Sequence, residues 1–415
     1  MSAPVTNETI TRARRTRWGL LGPAFVAAIA YVDPGNVAAN LTAGAEYGYL
    51  LVWVLVAASG MAVLIQYLSA KLGIVTGKSL PEHVGIRLKR KPRLAYWLQA
   101  ELIAAATDLA EVVGGAIALN LLFDLPLLVG GVIVGVVSLA LLGVQSRNGQ
   151  RPFEFVIIGL LAVIALGFMA GLAVANIDWV ATLVGTVPRF DGPPTVLIAA
   201  SMLGATVMPH VIYLHSALAR DRHGIGHGPQ VISRLLGATR WDVALSMLVA
   251  GAVNMSMLLL AAASLRGVAG TDTIEGAHAA ITDSLGTGIG VVFGIGLLAS
   301  GLASTSVGCY AGASIMEGLL KVRIPMVARR AITVTPALII LALGVNPTLA
   351  LVISQVVLSF GIPLALIPLV RITADGAVMG EFVNSRRITV VAWTIVVLIS
   401  TLNVALIGLT VTAAV

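Results

Sequence analysis

Long apolar runs recur along the chain, each closed by a short polar or charged segment. A bilayer core of ~30 Å is crossed by ~20 apolar residues in a helix. Eleven runs reach or approach that length: roughly 19–44, 50–72, 94–123, 127–145, 153–175, 194–219, 241–264, 287–316, 331–345, 348–370 and 388–412. The pattern predicts an all-α integral membrane protein with eleven transmembrane helices. The ninth run is short, and the eighth is long enough to tilt or project.

Charge placement tests this count. If the N-terminus is inside, 24 of the 26 Lys and Arg fall in segments on one side, and only Arg189 and Arg266 fall on the other. The inside segments begin with Arg12, Arg14, Arg15 and Arg17 and end with Arg371, Arg386 and Arg387. Such asymmetry marks the cytoplasmic face, so the N-terminus is expected in the cytoplasm and the C-terminus outside. The net charge of +7 then reports topology rather than a nucleic-acid partner. Composition agrees, since hydrophobic residues are 58% of the 415 and charged residues 11%, against ~25% charged in soluble domains. Cys309 is the single cysteine, which excludes an intramolecular disulfide and a thiolate metal cluster. The first apolar run leads straight into the membrane pattern without a small-residue cleavage site, so it is expected to be retained.

Two of the runs are interrupted. Tyr31-Val-Asp-Pro-Gly-Asn36 lies within the first and Ala205-Thr-Val-Met-Pro-His210 within the sixth, with Pro34 and Pro209 175 residues apart. Five spans separate corresponding elements. Five is odd, so the second set enters the membrane from the opposite side. This is the pattern of an inverted-topology repeat with two broken helices, which points to a secondary transporter. The expected organisation is a cytoplasmic tail over 1–18, a first repeat over 19–175, a second over 194–371 and an added helix over 388–415.

Proline and glycine together are expected to unwind the first span for about one turn. Carbonyls freed at membrane depth are tolerated where they line a cavity or are buried in protein. A simple kink needs the proline but neither Asp33 nor Asn36. At the other break, Met208 precedes Pro209 and a carbonyl near Ala205 is freed. A lone membrane methionine usually serves packing, but this one sits at the matched break. A carboxylate, an amide oxygen, one or two carbonyls and a thioether make a cation site. Mg²⁺ and Ca²⁺ take oxygen ligands, whereas the sulfur favours softer ions. Mn²⁺ and Fe²⁺ suit the mixed set, and Cd²⁺ fits by softness.

His210 and His215 lie about 140° apart on an ideal helix, so they are not a pair of ligands on one face. Proton handling is the functional reading, and hydrogen bonding in the bundle the structural one. In the third span Glu101, Asp108 and Glu111 share a stripe about 80° wide. Three carboxylates there must face water or cations. Arg222, and Arg329 or Arg330, are the candidate partners, although topological anchoring accounts for them equally well. Gln355 and Asn254 interrupt apolar spans. Each either completes a coordination shell or gate, or bonds one helix to another.

Asp33-Pro34-Gly35-Asn36, Met208-Pro209-His210 and Ala106-Thr107-Asp108-Leu109-Ala110-Glu111 together resemble the Nramp family, over essentially the whole chain from Trp18 to the last span. Its members are proton-coupled divalent-metal transporters, and bacterial members import manganese. The resemblance implies a LeuT-like fold in which spans 1–5 and 6–10 are inverted repeats and the eleventh is extra. It implies metal binding by Asp33, Asn36, Met208 and the Ala205 carbonyl, with Gln355 joining in some conformations. His210, Asp108 and Glu111 match proton-route positions, with Asp33 coupling the two fluxes and His215 and Arg222 further along. Glu101 and Arg330 are candidates for the same route. Magnesium-transporting relatives are expected to lack the methionine that this chain retains.

The expectation is therefore a multi-pass plasma-membrane importer, of the bacterial inner-membrane type, working by alternating access. Its partners are divalent metal ions, protons and the bilayer. No resident cofactor and no obligate protein partner are expected, and a monomer can complete the cycle. One rival is a sodium-coupled amino-acid or amine symporter of the same fold, in which Asp33 pairs an amine and Met208 has no clear purpose. An intramembrane hydrolase lacks a nucleophile motif and the required histidine spacing, so no enzyme is expected. A channel fits paired broken helices less well than alternating access does.

Overall fold

The computed structural model describes residues 22–148, 150–271, 273–322 and 324–413. The 1–18 tail with Arg12, Arg14, Arg15 and Arg17 lies outside the described residues. So do Arg323 and the side chains of Arg147 and Arg151. Among the described residues every regular element is helical.

The first apolar run forms α1 (Pro23–Ile29), a 3₁₀ turn (Ala30–Val32) and α2 (Pro34–Tyr47). Then come α3 (Val52–Thr76), a short α4 (Leu80–Arg87), α5 (Arg90–Phe123), α6 (Leu127–Asn148) and α7 (Gln150–Met169). After the six-residue α8 (Trp179–Val184), the sixth run forms α9 (Gly192–Thr206) and α10 (Pro209–His223). The remainder is α11 (Pro229–Ser264), α12 (Ile274–Leu285), α13 (Thr287–Leu320), α14 (Met326–Ala342), α15 (Pro347–Thr373), α16 (Gly376–Met379) and α17 (Arg386–Ala413).

Eight of the described helices or helix pairs are long and apolar enough to cross a membrane, and Pro23–Val32 and Leu127–Leu141 are shorter apolar helices. Hydropathy locates apolar length rather than helix ends. The run beginning near 241 therefore belongs to a helix that begins at Pro229, whose first turns carry Arg234 and Arg240. The connecting segments over 176–193 and 265–286 likewise contain α8 and α12.

Burial separates centre from periphery. The apolar window of Gly192–His223 is 83% buried and that of Arg90–Phe123 78%, whereas the last helix and Pro152–Ala173 bury 33% of theirs. The interrupted helices and α5 thus form the core. The outer helices turn Phe155, Leu166, Val397 and Val404 outward, as a lipid-facing surface requires. The chain is a multi-pass membrane protein.

Glycine sets two of the closest central approaches. A Cβ on Gly73 of α3 would collide with the Ser216 carbonyl of α10. A Cβ on Gly114 of α5 would collide with the Pro34 ring. The bare backbone there lets one helix rest directly on the other.

Candidate functional site

The first interruption is tighter than proline and glycine alone suggest. Asp33 is the one non-helical residue between the 3₁₀ turn and α2, with φ −70° and ψ 167°. Pro34 at the first helical position has the φ that a new helix needs, so the helix resumes at once. The second interruption spans Val207 and Met208, again with proline opening the following helix. Each break therefore joins the end of one helix to the start of the next.

The freed carbonyls are satisfied by side chains. Asn254 of α11 donates to Tyr31 O at 2.7 Å, and Ser300 of α13 donates to Val32 O at 2.6 Å. Of the two roles open to Asn254, the structure shows helix-to-helix bonding, which also includes Asn40 Nδ2 donating to its Oδ1 at 3.1 Å. Ser300 does not stand out in the sequence, because a serine in an apolar run carries no pattern.

Asp33, Asn36, Ala205 and Gln355 come together in a buried cluster. Asp33 Oδ1 caps α2 by accepting from Asn36 N at 2.8 Å, and it accepts from Asn36 Nδ2 at 2.7 Å. The same Nδ2 donates to Ala205 O at 2.9 Å, across the two interrupted helices. Gln355 Nε2 donates to Asp33 Oδ2 at 3.3 Å, and Gln355 Oε1 is buried without a partner. Thr206 donates to Asn36 Oδ1 at 3.4 Å, a contact that sequence spacing does not reveal. Met208 is fully buried at the second break. Among the described residues no group of three or more His, Cys, Asp or Glu is placed to hold a metal. Any ion bound here relies on mixed ligands with a single carboxylate.

A ladder of charges runs along α5. Arg330 of α14 donates to Asp108 at 3.1 Å and to Thr305 of α13 at 2.9 Å. Arg329 donates to Glu101 at 2.8 Å. Both arginines are used, where the sequence leaves one or the other open. Glu111 is fully buried, and neither carboxylate oxygen accepts from an N–H or hydroxyl donor; its hydrogen-bonding neighbour is the Asp108 carboxyl. His210 faces the same helix. Thr107 donates to Ile103 O at 3.0 Å, so its hydroxyl accepts from His210 Nδ1 at 3.2 Å. In the neutral ring that leaves Nε2 as an acceptor, and it is buried without a partner. A cavity of about 270 Å³ lies beside Arg329 and is also lined by Arg220, Asp221, Tyr310 and Glu317.

His215 and Arg222 stand apart from the ladder. His215 Nδ1 donates to Gln66 Oε1 at 2.7 Å, and Gln66 Nε2 donates to the Tyr31 hydroxyl at 2.5 Å. The two histidines thus point to different helices, as their 140° separation requires. Arg222 does not pair with the α5 carboxylates; it forms an ion pair at 3.2 Å with Glu154 of α7. It sits at the end of α10, with Arg220 and His223 in the same last turn, and α7 supplies its acid. A Cβ on Gly22 would lie 2.5 Å from that Glu154 carboxylate. Asp242 accepts from Gly22 N and Ala24 N, each at 3.0 Å. Neither Glu154 nor Asp242 stands out in the sequence, where each reads as one charge near a helix end.

Interrupted helices meeting in a buried polar cluster define a membrane transporter of the LeuT-fold class. The fold is shared with a nucleobase-cation-symport-1 family transporter, at a TM-score of 0.60 and 16% identity over 86% of this chain and 78% of that one. The chain belongs to the Nramp family: the profile described as natural resistance-associated macrophage protein-like matches residues 24–409. It is 62% identical over 399 residues to the divalent metal cation transporter MntH of Mycobacterium tuberculosis, covering 96% of this chain and 93% of that one. The Eremococcus coleocola manganese transporter, crystallised in a mutant form, superposes with a TM-score of 0.84 at 29% identity. That match covers 94% of this chain and 87% of the other.

Proposed function

We propose that this chain imports divalent transition-metal ions, Mn²⁺ foremost and Fe²⁺ and Cd²⁺ as further cargo, together with protons. The observation that carries the reading is Asn36, whose side chain binds both Asp33 and the Ala205 carbonyl across the two breaks. An ion at that point would meet oxygens of both interrupted helices, with the sulfur of Met208, buried at the second break, as the soft ligand. Such a mixed set favours borderline ions over Ca²⁺ and Mg²⁺. Binding to both helices also lets the ion report to both halves of the fold. The halves are read as inverted repeats over 19–175 and 194–371, moving against each other in alternating access.

Protons follow the second set of groups. Asp33 couples the fluxes. His210, Glu111 and Asp108 offer unpartnered or exchangeable positions, and Arg330, Glu101 and Arg329 continue the line to the cavity at Arg329. His215, bonded to Gln66, and Arg222, paired with Glu154, lie away from this line and serve it further along the route. The setting is the plasma membrane, with the N-terminus cytoplasmic, the C-terminus outside and a monomer as the working unit. The metal and the proton are cargo, and no resident cofactor takes part. The relatives named as metal transporters count against the amine-symporter alternative.

The test is Mn²⁺ entry into proteoliposomes that carry a metal dye and a pH dye, with and without excess Ca²⁺. Entry that resists Ca²⁺ and acidifies the lumen is expected. Entry without acidification removes the coupling, and absence of divalent entry in folded protein removes the metal site.

A further inference from the structure

One face of α13 lies along the charge ladder. Gly301, Thr305, Gly308 and Gly312 fall within a stripe about 60° wide on an ideal helix. What each position meets differs. A Cβ on Gly301 would lie 2.9 Å from Gly115 Cα and 3.0 Å from Glu111 O, so that glycine serves helix-to-helix contact. Thr305 accepts from Arg330. A Cβ on Gly308 would meet side-chain ends instead: Glu111 Oε2 at 2.9 Å, Glu111 Oε1 at 3.1 Å and Asp108 Oδ1 at 3.4 Å. A Cβ on Gly312 would collide with the Arg329 guanidinium. The stripe therefore meets the acids and the arginine at the points where the ladder has least room.

The second observation is Glu111 itself. Its two oxygens are buried against the bare Gly308 backbone, and no N–H or hydroxyl donor reaches them; the one hydrogen bond open to them is a proton shared with Asp108. A buried carboxyl whose one hydrogen-bond partner is another carboxyl is costly unless a proton lies between them, so a purely structural site gains little from keeping it. The groups within electrostatic reach of Glu111 are Asp108 on its own helix, Arg330 from α14 and Asp33 at the first break. His210 from α10 and Cys309 beside Gly308 are within electrostatic reach of Asp108 in turn.

We propose that Gly308 is a positioning residue for proton transfer: by lacking a side chain it leaves the Glu111 carboxyl the space to swing between Asp108 and the ion-binding end of the route. The proposal rests on the reading of Glu111 as a proton carrier. Gly312 differs, since the Arg329 guanidinium that holds Glu101 already occupies the space a side chain there would fill. A methyl at 308 takes up about the volume of one methylene, which is what Glu111→Asp removes. The two substitutions should therefore compensate.

The experiment uses the purified full chain in proteoliposomes and reads Mn²⁺ affinity, Mn²⁺ entry and lumen acidification across external pH. Gly308→Ala is expected to bind Mn²⁺ as the parent does, yet to acidify the lumen about tenfold more slowly. Adding Glu111→Asp should restore acidification. The proposal is overturned if Gly308→Ala couples normally. It is also overturned if binding and acidification fall together and Glu111→Asp restores neither, as plain packing damage would give. Glu111→Gln separates the two levels: normal acidification in that variant removes the proton-carrier reading and this proposal with it. Uncoupling in Glu111→Gln beside normal coupling in Gly308→Ala removes the Gly308 role alone. If Gly308→Ala yields no folded protein, the Gly308→Ala/Glu111→Asp double variant carries the test: acidification at the parent's rate is expected, and acidification lost in the folded double variant overturns the proposal.

Discussion

Single residues set selectivity and local stability. With Met208 as the proposed soft donor at the second break, Met208→Ala is expected to keep Mn²⁺ entry while weakening exclusion of Ca²⁺. Competition of Mn²⁺ uptake by Ca²⁺ checks this, and an unchanged competition curve counts against a ligand role. Arg330 is 1% exposed and neutralises Asp108. Arg330→Met strands a buried carboxylate and is expected to cost about 3–5 kcal/mol. The Asp108→Asn/Arg330→Met double variant should lose less than the sum of the single changes, as read by thermal unfolding in detergent. His83, on α4 outside the spanning helices, is pushed down from 6.5 to about 4, first by burial and then by Arg87 and Lys78. Its neutral ring meets Thr76 Oγ1 at 2.9 Å. Between those two values the unfolded chain binds the extra proton. This contribution to stability is therefore complete above pH 6.5 and is lost as pH falls toward 4. The melting temperature should fall across that window, and fall less in His83→Gln.

Elements act through how closely they approach. Helix α3 carries Gln66, which links Tyr31 of the first interrupted helix to His215 of the second. It also carries Gly73, which rests on the Ser216 carbonyl of α10. α4 fastens the same region: Leu80 N donates to Ser216 Oγ at 2.8 Å, and Glu82 both completes a capping box with Ser79 and forms an ion pair with Arg220. Gly73→Ala should push α3 away from α10 and cost about 1–3 kcal/mol, as overpacking does. A drop in melting temperature with the ion site intact checks it, measured as Mn²⁺ affinity at low temperature. The contacts of α3 and α4 with α10 join residues 136 positions or more apart, which is why periodicity within one helix could not reveal them.

At the scale of the whole molecule, an outer set of helices surrounds two interrupted ones that are among the most deeply buried. The proposed carriage of a divalent ion and a proton the same way brings net positive charge inward. An inside-negative potential favours that entry by ~2.3 kcal/mol per charge per 100 mV. Imposing such a potential on proteoliposomes is expected to speed Mn²⁺ entry and acidification together. An effect on one without the other would argue for separate routes for metal and proton.

Much of this was legible along the chain. Apolar runs locate membrane helices because lipid leaves the backbone no alternative partner. Prolines at Pro34 and Pro209 mark the interruptions, because proline lacks the amide that a continuous helix needs. Asp33, Asn36 and Met208 stood out because their chemistry is expensive or unusual at that depth. Other features depend on distance in space. Pairing Arg330 with Asp108 while sending Arg222 to Glu154 depends on which helices adjoin, and both arginines look alike in a list of charges. The shortness of the first break, Asn254 and Ser300 on its freed carbonyls, and the bare backbone of Gly308 beside Glu111 arise where separate helices meet. A glycine has no signature in a hydropathy pattern; its meaning comes from the side chain that occupies the space it leaves.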